Sequence, residues 1–285
     1  MDKSVVVTGA STGIGYQICS DLITLGYHVF GSVRQAEDGE RLAAVFSGSF
    51  TPLYFDVTDH DAVDQAAQVV ASKLAGKPLV GLFNNAGLAV AGPLLHLSIE
   101  DLRYQFEVNV IGLMKVTQAF APLLGAVENF DGTPGRIVMI SSVSGKIGMP
   151  FIGAYSGSKF ALEGLSQSLR AEMLLYGIEV IVIGPGAVQT PIWDKSINST
   201  MEKFKETPYT ESLYIFLNKF VKRSIKTAIS VEALSLKIVN IFTHPHPKSR
   251  YTMINQKFTN YLLPLLLPSK LINNILGKGL HLIKR

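Results

Sequence analysis

A chain of 285 residues that is 47% hydrophobic and 17% charged holds enough apolar material to close the core of one sizeable domain. Its single cysteine, Cys19, excludes a disulfide framework and a cysteine-based metal site. The net charge of +4 is unevenly placed: residues 1–232 carry all 22 acids and 18 of the 26 bases, whereas residues 233–285 carry eight bases and no acid. Met1-Asp2-Lys3 leads into a short β-like run instead of a secretory h-region, and no apolar stretch approaches the ~18 residues of a membrane span. These features predict a cytoplasmic protein in a reducing compartment.

Val5-Val6-Val7 predicts a fully apolar strand of the kind found inside a parallel sheet. It runs into Thr8-Gly9-Ala10-Ser11-Thr12-Gly13-Ile14-Gly15, then into a helical pattern through Ile18, Leu22 and Leu25 that Gly26 ends. A glycine-rich turn between strand and helix gathers backbone N–H groups at the positive helix end, which makes an anion site. Gly9 permits the tight turn, Gly13 the approach of a pyrophosphate, and Gly15 close helix–strand packing. His28 to Val33 predicts the second strand. At its end, where an acid commonly binds an adenosine ribose, stand Val33 and Arg34. A guanidinium there pairs with a 2′-phosphate and favours NADP(H), while Glu37 and Asp38 close by leave NAD(H) open.

Pro52 to Phe55 predicts the third strand, ending at Asp56-Val57, and Thr58-x-x-Asp61 reads as the capping-box-like start of a helix over Ala62 to Leu74. Leu79 to Phe83 predicts the fourth strand, ending in Asn84-Asn85-Ala86-Gly87. Ser98-x-x-Asp101 opens a long helix in which Asn109 interrupts an apolar run, as a functional amide or as a satisfied core amide or kink. Arg136 to Ile140 predicts the fifth strand, and it delivers a serine- and glycine-rich stretch from Ser141 to Lys159. Tyr155 and Lys159 begin a helix to Leu175 with Gly177 as its stop, and their spacing puts a phenol and an ammonium on one face. Such a pair is a candidate proton-transfer device at which an upstream serine can aim a substrate oxygen. Ile178 to Ile183 predicts the sixth strand, ending in Gly184-Pro185-Gly186-Ala187-Val188-Gln189-Thr190-Pro191. Six β units alternating with helices, and a seventh strand over Arg250 to Ile254, predict an α/β fold: one Rossmann-like domain with a doubly wound parallel sheet and helices on both faces.

Thr8-Gly9-x-x-x-Gly13-x-Gly15, Asn84-Asn85-Ala86-Gly87, Asn109, Ser142, Tyr155-x-x-x-Lys159 and Pro185-Gly186-x-Val188-x-Thr190 follow in this order over residues 3 to about 191. The chain thereby resembles the short-chain dehydrogenase/reductase family, nearest to its retinoid- and steroid-acting NADP-type branch. The resemblance implies that Tyr155 is the general acid/base, that Ser142 polarises the substrate oxygen, and that Lys159 tunes Tyr155 and holds the nicotinamide ribose. Asn109 would complete a proton relay through water. The cofactor would lie on Gly9, Ser11, Thr12, Gly13, Ile14 and Gly15, with Asp56 and Val57 at the adenine. Asn85, Ala86 and Gly87 would line its cleft, and Pro185, Gly186, Val188 and Thr190 would meet the nicotinamide. Thr12 stands where many NADPH-preferring relatives carry a base, so Arg34 bears that preference alone. Gly157 takes the place of a common alanine. An ammonium about 4 Å from the phenol, at an effective dielectric of ~20, is worth about 4 kcal/mol, enough to lower an ordinary tyrosine pKa of ~10 by about three units.

The implied activity is hydride transfer between NADP(H) and a lipophilic alcohol/ketone or aldehyde, steroid-, retinoid- or aromatic-like. The alternatives are an NAD-dependent dehydrogenase of a small hydroxy compound and a non-catalytic dinucleotide-sensing protein. In the family the segment here numbered 191–228 closes over the substrate, and Ile192, Trp193, Phe204, Tyr209, Leu213, Phe216 and Phe220 make it apolar. Residues 259–285 form a basic amphipathic tail without acids. It suits peripheral contact with an anionic membrane or packing on the lid or a neighbouring subunit. The family resemblance implies a homodimer or homotetramer. His244 and His246 have no acid or cysteine downstream to complete a metal site, and the positive charge is confined to a greasy tail unlike nucleic-acid readers.

Overall fold

The computed structural model describes residues 3–189 and 200–283. Seven strands form one sheet in which every neighbouring pair is parallel. They are β1 (Ser4–Val7), β2 (His28–Val33), β3 (Phe50–Tyr54), β4 (Gly81–Asn84), β5 (Arg136–Ile140), β6 (Glu179–Pro185) and β7 (Arg250–Met253), in the order β3-β2-β1-β4-β5-β6-β7. The order reverses between β1 and β4, and at such a switch point a doubly wound sheet opens a crevice beyond the carboxyl ends of its strands.

Side chains alternate across each strand, so the apolar runs feed two cores at once. Val6, Phe30, Ile137, Met139, Val180 and Val182 pack with helices α3 (His60–Leu74), α5 (Leu113–Phe120) and α6 (Gly153–Glu172). Val5, Val7, Val29, Val138, Ile140, Ile181 and Ile183 pack on the opposite face with α1 (Gly13–Thr24), α2 (Ala36–Val45) and α9 (Val231–Thr243). Cys19 belongs to this second core, where burial pushes its thiol pKa up.

The expected strands and helices form, with shifts at their ends. Ser98 and Ser230 cap α4 (Ile99–Phe106) and α9 by accepting from Asp101 N and Ala233 N. The cap of α3 is Asp59, not Thr58: Asp59 Oδ1 accepts from Ala62 N at 3.0 Å, while Thr58 donates its hydroxyl to Asp56. Helix α6 begins at Gly153, two residues before Tyr155, and a tighter turn over Met173–Tyr176 leads to the left-handed Gly177. Between α4 and α5 the helix widens into a π turn, Glu107–Gly112, with Asn109 inside it.

A third apolar cluster lies beside Tyr155. It joins Phe151 and Ile152 to Phe204, to α7 (Thr210–Ile215) and to the π turn Phe216–Val221 that leads into α8 (Lys222–Lys226). The tail runs through a π turn (Phe258–Leu262), α10 (Leu263–Leu266) and α11 (Ser269–Gly279). Its end packs on the segment expected to form a lid: Leu280 is buried in the third cluster, Leu282 lies against it, and His281 Nδ1 meets Glu211 Oε1 at 2.7 Å. Phe258, Leu262, Leu265, Leu266, Leu271 and Ile275 stay exposed. Among the described residues no helix is long and apolar enough to cross a membrane.

Helix α9 packs on the sheet through Phe242, whose ring is tilted 59° to that of Phe83 with centres 4.8 Å apart and lies over Gly81. Arg136 Nη1 caps the end of that helix through the Phe242 and His244 carbonyls. Phe242→Ala removes a buried aromatic whose gap the sheet cannot fill. It is expected to cost about 3–5 kcal/mol of stability, read as a lower urea midpoint with an unchanged slope.

Candidate active site

The glycine loop is held from below by Thr8. Its hydroxyl donates to Phe83 O and accepts from Asn85 N and Ala86 N, both at 2.9 Å, so the ends of β1 and β4 are tied together at the switch point. Asn85 Nδ2 donates to Thr8 O and Gly9 O, and Ser32 Oγ accepts from Gly9 N. Gly9 and Gly13 take φ of 67° and 57°, which favours glycine at both places. A Cβ at Gly15 would sit 2.1 Å from Gly9 O, so the loop can fold back on α1 only because that residue has none. Thr12 makes no side-chain cap bond and the first turn of α1 carries no acid. The helix start is thus an uncapped, positively polarised end, and it fits the pyrophosphate of a dinucleotide.

At the expected adenosine end, Arg34 is 69% exposed and its Nη1 stands 3.7 Å from Asp56 Oδ2. Asp56 Oδ1 accepts from Thr58 N and Thr58 Oγ1, which fixes that carboxylate beside Val57. A second guanidinium comes from α2: Arg41 donates to Ser11 O at 2.9 Å and to Asp38 Oδ1 at 2.6 Å. Arg34 therefore does not stand alone beside the loop. Arg41 escaped notice in the sequence because its one local signal, a partner three residues earlier on a helix, is common on exposed surfaces.

At the end of β5, Ser142 Oγ accepts from Ser144 N at 3.1 Å and donates to Pro185 O at 3.4 Å. Tyr155 and Lys159 project from α6. Lys159 is 4% exposed, and its Nζ donates to Ile140 O at 2.8 Å and lies 5.9 Å from the centre of the Tyr155 ring. Fully buried Asn109 accepts from Leu88 N and donates to Leu88 O and to Ser158 Oγ, whose hydroxyl in turn donates to Tyr155 O. Its amide thus holds the loop after β4, as does Gln105, which accepts from Val90 N and donates to Leu88 O. Gly87 lies among these groups: a Cβ there would be 3.2 Å from Asn109 Oδ1 and 3.8 Å from Lys159 Nζ. Ser32, Arg41, Gln105 and Ser158 are the supporting residues that the motifs did not single out.

One electrostatic expectation fails. Burial raises the pKa of Tyr155, against which Ser142 acts by bonding to the phenol, and Lys159 does not bring about the expected lowering. The ammonium is turned toward Ile140 O, and both groups lose solvent. Burial also lowers the pKa of Lys159, to about 8, against the charge of Glu163. What the group offers is a protonated phenol and a serine hydroxyl side by side, with a cation behind them, an arrangement able to hand a proton to a carbonyl oxygen.

On the nicotinamide side, Gly186 N donates to Met253 O at 2.8 Å, and buried Val188 forms a parallel bridge with Ile229. Thr190, Pro191, Ile192 and Trp193 lie outside the described residues, as do Lys284 and Arg285 of the tail. A groove of about 180 Å³ opens next to Gly153, lined by Pro93, Leu94, Leu95, Met149, Phe151, Tyr209 and Leu282. A larger cleft of about 360 Å³, between Arg136, Glu179 and Phe242, lies at the amino ends of β5 and β6 and has no part in this site.

The family model described as short chain dehydrogenase matches residues 3–201. The chain is 38% identical over 278 residues to an NADPH-dependent 3-dehydrocapnine reductase of Ornithobacterium rhinotracheale, covering 98% of this chain and 97% of the relative. It is 31% identical to retinol dehydrogenase 5 of Homo sapiens, covering 95% and 87%, so the bacterial reductase is the more similar of the two. A short-chain dehydrogenase from Streptomyces avermitilis superposes with a TM-score of 0.78 at 24% identity, covering 100% of this chain and 99% of that one. This protein belongs to the short-chain dehydrogenase/reductase family and is an NAD(P)-dependent oxidoreductase.

Proposed function

We propose that the protein transfers a hydride between NADP(H) and a lipophilic alcohol/ketone or aldehyde, with Tyr155 as the general acid/base. The observation that carries this reading is the convergence of Ser142, Tyr155 and buried Lys159 beside Gly87 and Asn109, past the end of β5. The cofactor, when bound, supplies or takes up the hydride. Ser142 donates a hydrogen bond to the substrate oxygen. Tyr155 gives that oxygen its proton in reduction and removes it in oxidation. Lys159 holds the nicotinamide ribose and compensates the phenolate left after proton donation. A phenol whose pKa burial raises stays protonated at neutral pH, the state that reduction needs.

Three features support the finer choices. The groove beside Gly153 is lined almost wholly by apolar side chains, which suits a lipophilic substrate better than a sugar or a charged acid. Arg34 beside Asp56 and Arg41 beside Ser11 give two guanidinium groups at the expected adenosine end, which suits a 2′-phosphate, and one relative is an NADPH-dependent reductase. In the tail, Phe258, Leu262, Leu265 and Leu266 are exposed beside Lys257 and Lys270, in a stretch free of acids, which suits contact with an anionic membrane surface.

Tyr155→Phe should bind NADPH about as tightly as the parent and lose at least about 10²-fold in turnover, followed at the reduced-nicotinamide absorbance across a panel of ketones and aldehydes. Normal turnover in that variant would contradict the acid/base assignment. Arg34→Ala and Arg41→Ala should each weaken NADPH about five- to tenfold in a fluorescence titration and leave NADH nearly unchanged. Equal losses for both cofactors would remove the case for a 2′-phosphate site. The parent should sediment with vesicles rich in phosphatidylglycerol and not with neutral ones, and Leu265→Ser/Leu266→Ser should abolish that. Unaltered sedimentation of the double variant would rule out this face.

A further inference from the structure

One turn beyond Lys159, on the same helix, stands a carboxylate that neither hydride transfer nor proton transfer calls for. Glu163 is 4% exposed in its side chain, and an acid so enclosed needs partners. Its partner comes from 87 residues along the chain: Arg250 Nε, on β7, donates to Oε2 at 2.8 Å and to Oε1 at 3.1 Å. Lys146 Nζ, past the end of β5, lies 3.4 Å from Oε2. Arg250 is itself fixed, because its Nη1 donates to Thr252 Oγ1 and, at 3.3 Å, to the hydroxyl of Tyr261. The Tyr261 ring, buried at the start of the tail, lies 5.8 Å from the guanidinium carbon.

The backbone makes room for this pair. A Cβ at Gly145 would stand 2.9 Å from Glu163 Cγ and 2.9 Å from Lys159 O, and one at Gly184 would stand 2.7 Å from Arg250 Nη2. The ion pair therefore sits in a space that two glycines leave open, directly under the helix turn that carries the lysine. The charged and titratable groups that face Lys159 are Tyr155 and Glu163 on α6, and those that face Glu163 are Arg170 on α6, Lys146 beyond β5 and Arg250 on β7, with Tyr261 behind the arginine. Glu163 supplies the negative charge that opposes the loss of the lysine proton.

We propose that Glu163, clamped by Arg250 and Tyr261, is a positioning residue that keeps buried Lys159, one helical turn away, in its charged form, and that it couples the start of the tail to the catalytic helix. The proposal rests on the role given above to Lys159. A bare packing role would predict a loss of stability alone. The charge role predicts a change in when Lys159 loses its proton: without the carboxylate, the lysine deprotonates at lower pH, and activity in reduction falls earlier on the alkaline side.

The test compares Glu163→Gln, the doubly neutral Glu163→Gln/Arg250→Met, and Glu163→Asp, each checked for folding by circular dichroism. The nitrogen resonance of Lys159 Nζ, assigned with Lys159→Arg, is titrated with pH in each full-length protein. It should titrate at lower pH in Glu163→Gln, by a smaller amount in the double variant, which also loses the Arg250 charge, and close to the parent in Glu163→Asp. In carbonyl reduction with NADPH, Glu163→Gln should keep near-parental kcat at about pH 6.5 and lose about three- to tenfold at about pH 8.5. The double variant removes the unpaired guanidinium, so one folded neutral protein is retained even if the single substitution unfolds the chain. An unshifted Lys159 titration in folded Glu163→Gln, or a shift to higher pH in the folded double variant, overturns the proposal. If the parent reduces no carbonyl with NADPH, the proposed function fails, and the lysine titration still decides the role of Glu163.

Discussion

An ammonium enclosed to 4% exposure must be compensated or give up its proton, and much of the site is arranged around that requirement at Lys159. The last residue of β5 turns its carbonyl to Nζ, and the next turn of α6 brings a carboxylate. That carboxylate is itself too buried to stand alone, so β7 contributes Arg250, and the tail contributes the Tyr261 hydroxyl that steadies the arginine. One buried charge thus draws together β5, α6, β7 and the tail. It explains why residues far past the motif-bearing part of the chain bear on the site.

The opposite wall of the crevice rests on neutral hydrogen bonds. Thr8 joins two strands that lie on either side of the sheet's reversal, and Asn85 ties the loop after β4 to the turn after β1. Asn85 stands where family resemblance assigns contact with the cofactor, yet its side-chain amide nitrogen is spent on the backbone of the turn after β1, while the Thr8 hydroxyl is spent on the backbone at the end of β4. Pre-arranged in this way, the loop presents the free N–H groups of α1 without having to order itself on binding, which spares that entropic cost. Asn109 does the same on the substrate side. Its side-chain amide bonds to Leu88 and Ser158 and so shapes the loop after β4.

The lid and tail form a separate small core. Phe151 and Ile152 lie between Ser142 and Tyr155 in sequence, and they pack with Phe204, Phe216 and Leu280. This small core therefore touches the segment between two of the site's hydroxyls. The groove lined by Leu94, Leu95, Tyr209 and Leu282 opens where this small core meets the body of the protein. The tail divides its apolar residues between that core and solvent: Leu280 is enclosed, while Leu266 is 76% exposed.

Local periodicity carried much of the fold. The apolar runs, the glycines that end helices and the serine cap all act within a few residues, so β2, the six βα alternations, the cap at Ser98 and the stop at Gly177 were legible from the chain alone. The site's outline was legible for the same reason, since Tyr155 and Lys159 are one helical turn apart and the glycine loop is contiguous. Local rules also erred locally: Thr58 and Asp59 both suit a cap, and what decided between them was the bond from Thr58 to Asp56. Everything that depended on distant residues meeting was settled by the tertiary structure. Arg41 reaches Ser11, and Arg250 reaches Glu163, because strand register and helix packing set those distances, and no spacing in the sequence encodes them. The phenol's acidity belongs to the same class. The sequence determined that an ammonium would stand one turn from Tyr155, but only the packed structure fixed the burial of both groups and the carbonyl to which the ammonium turned.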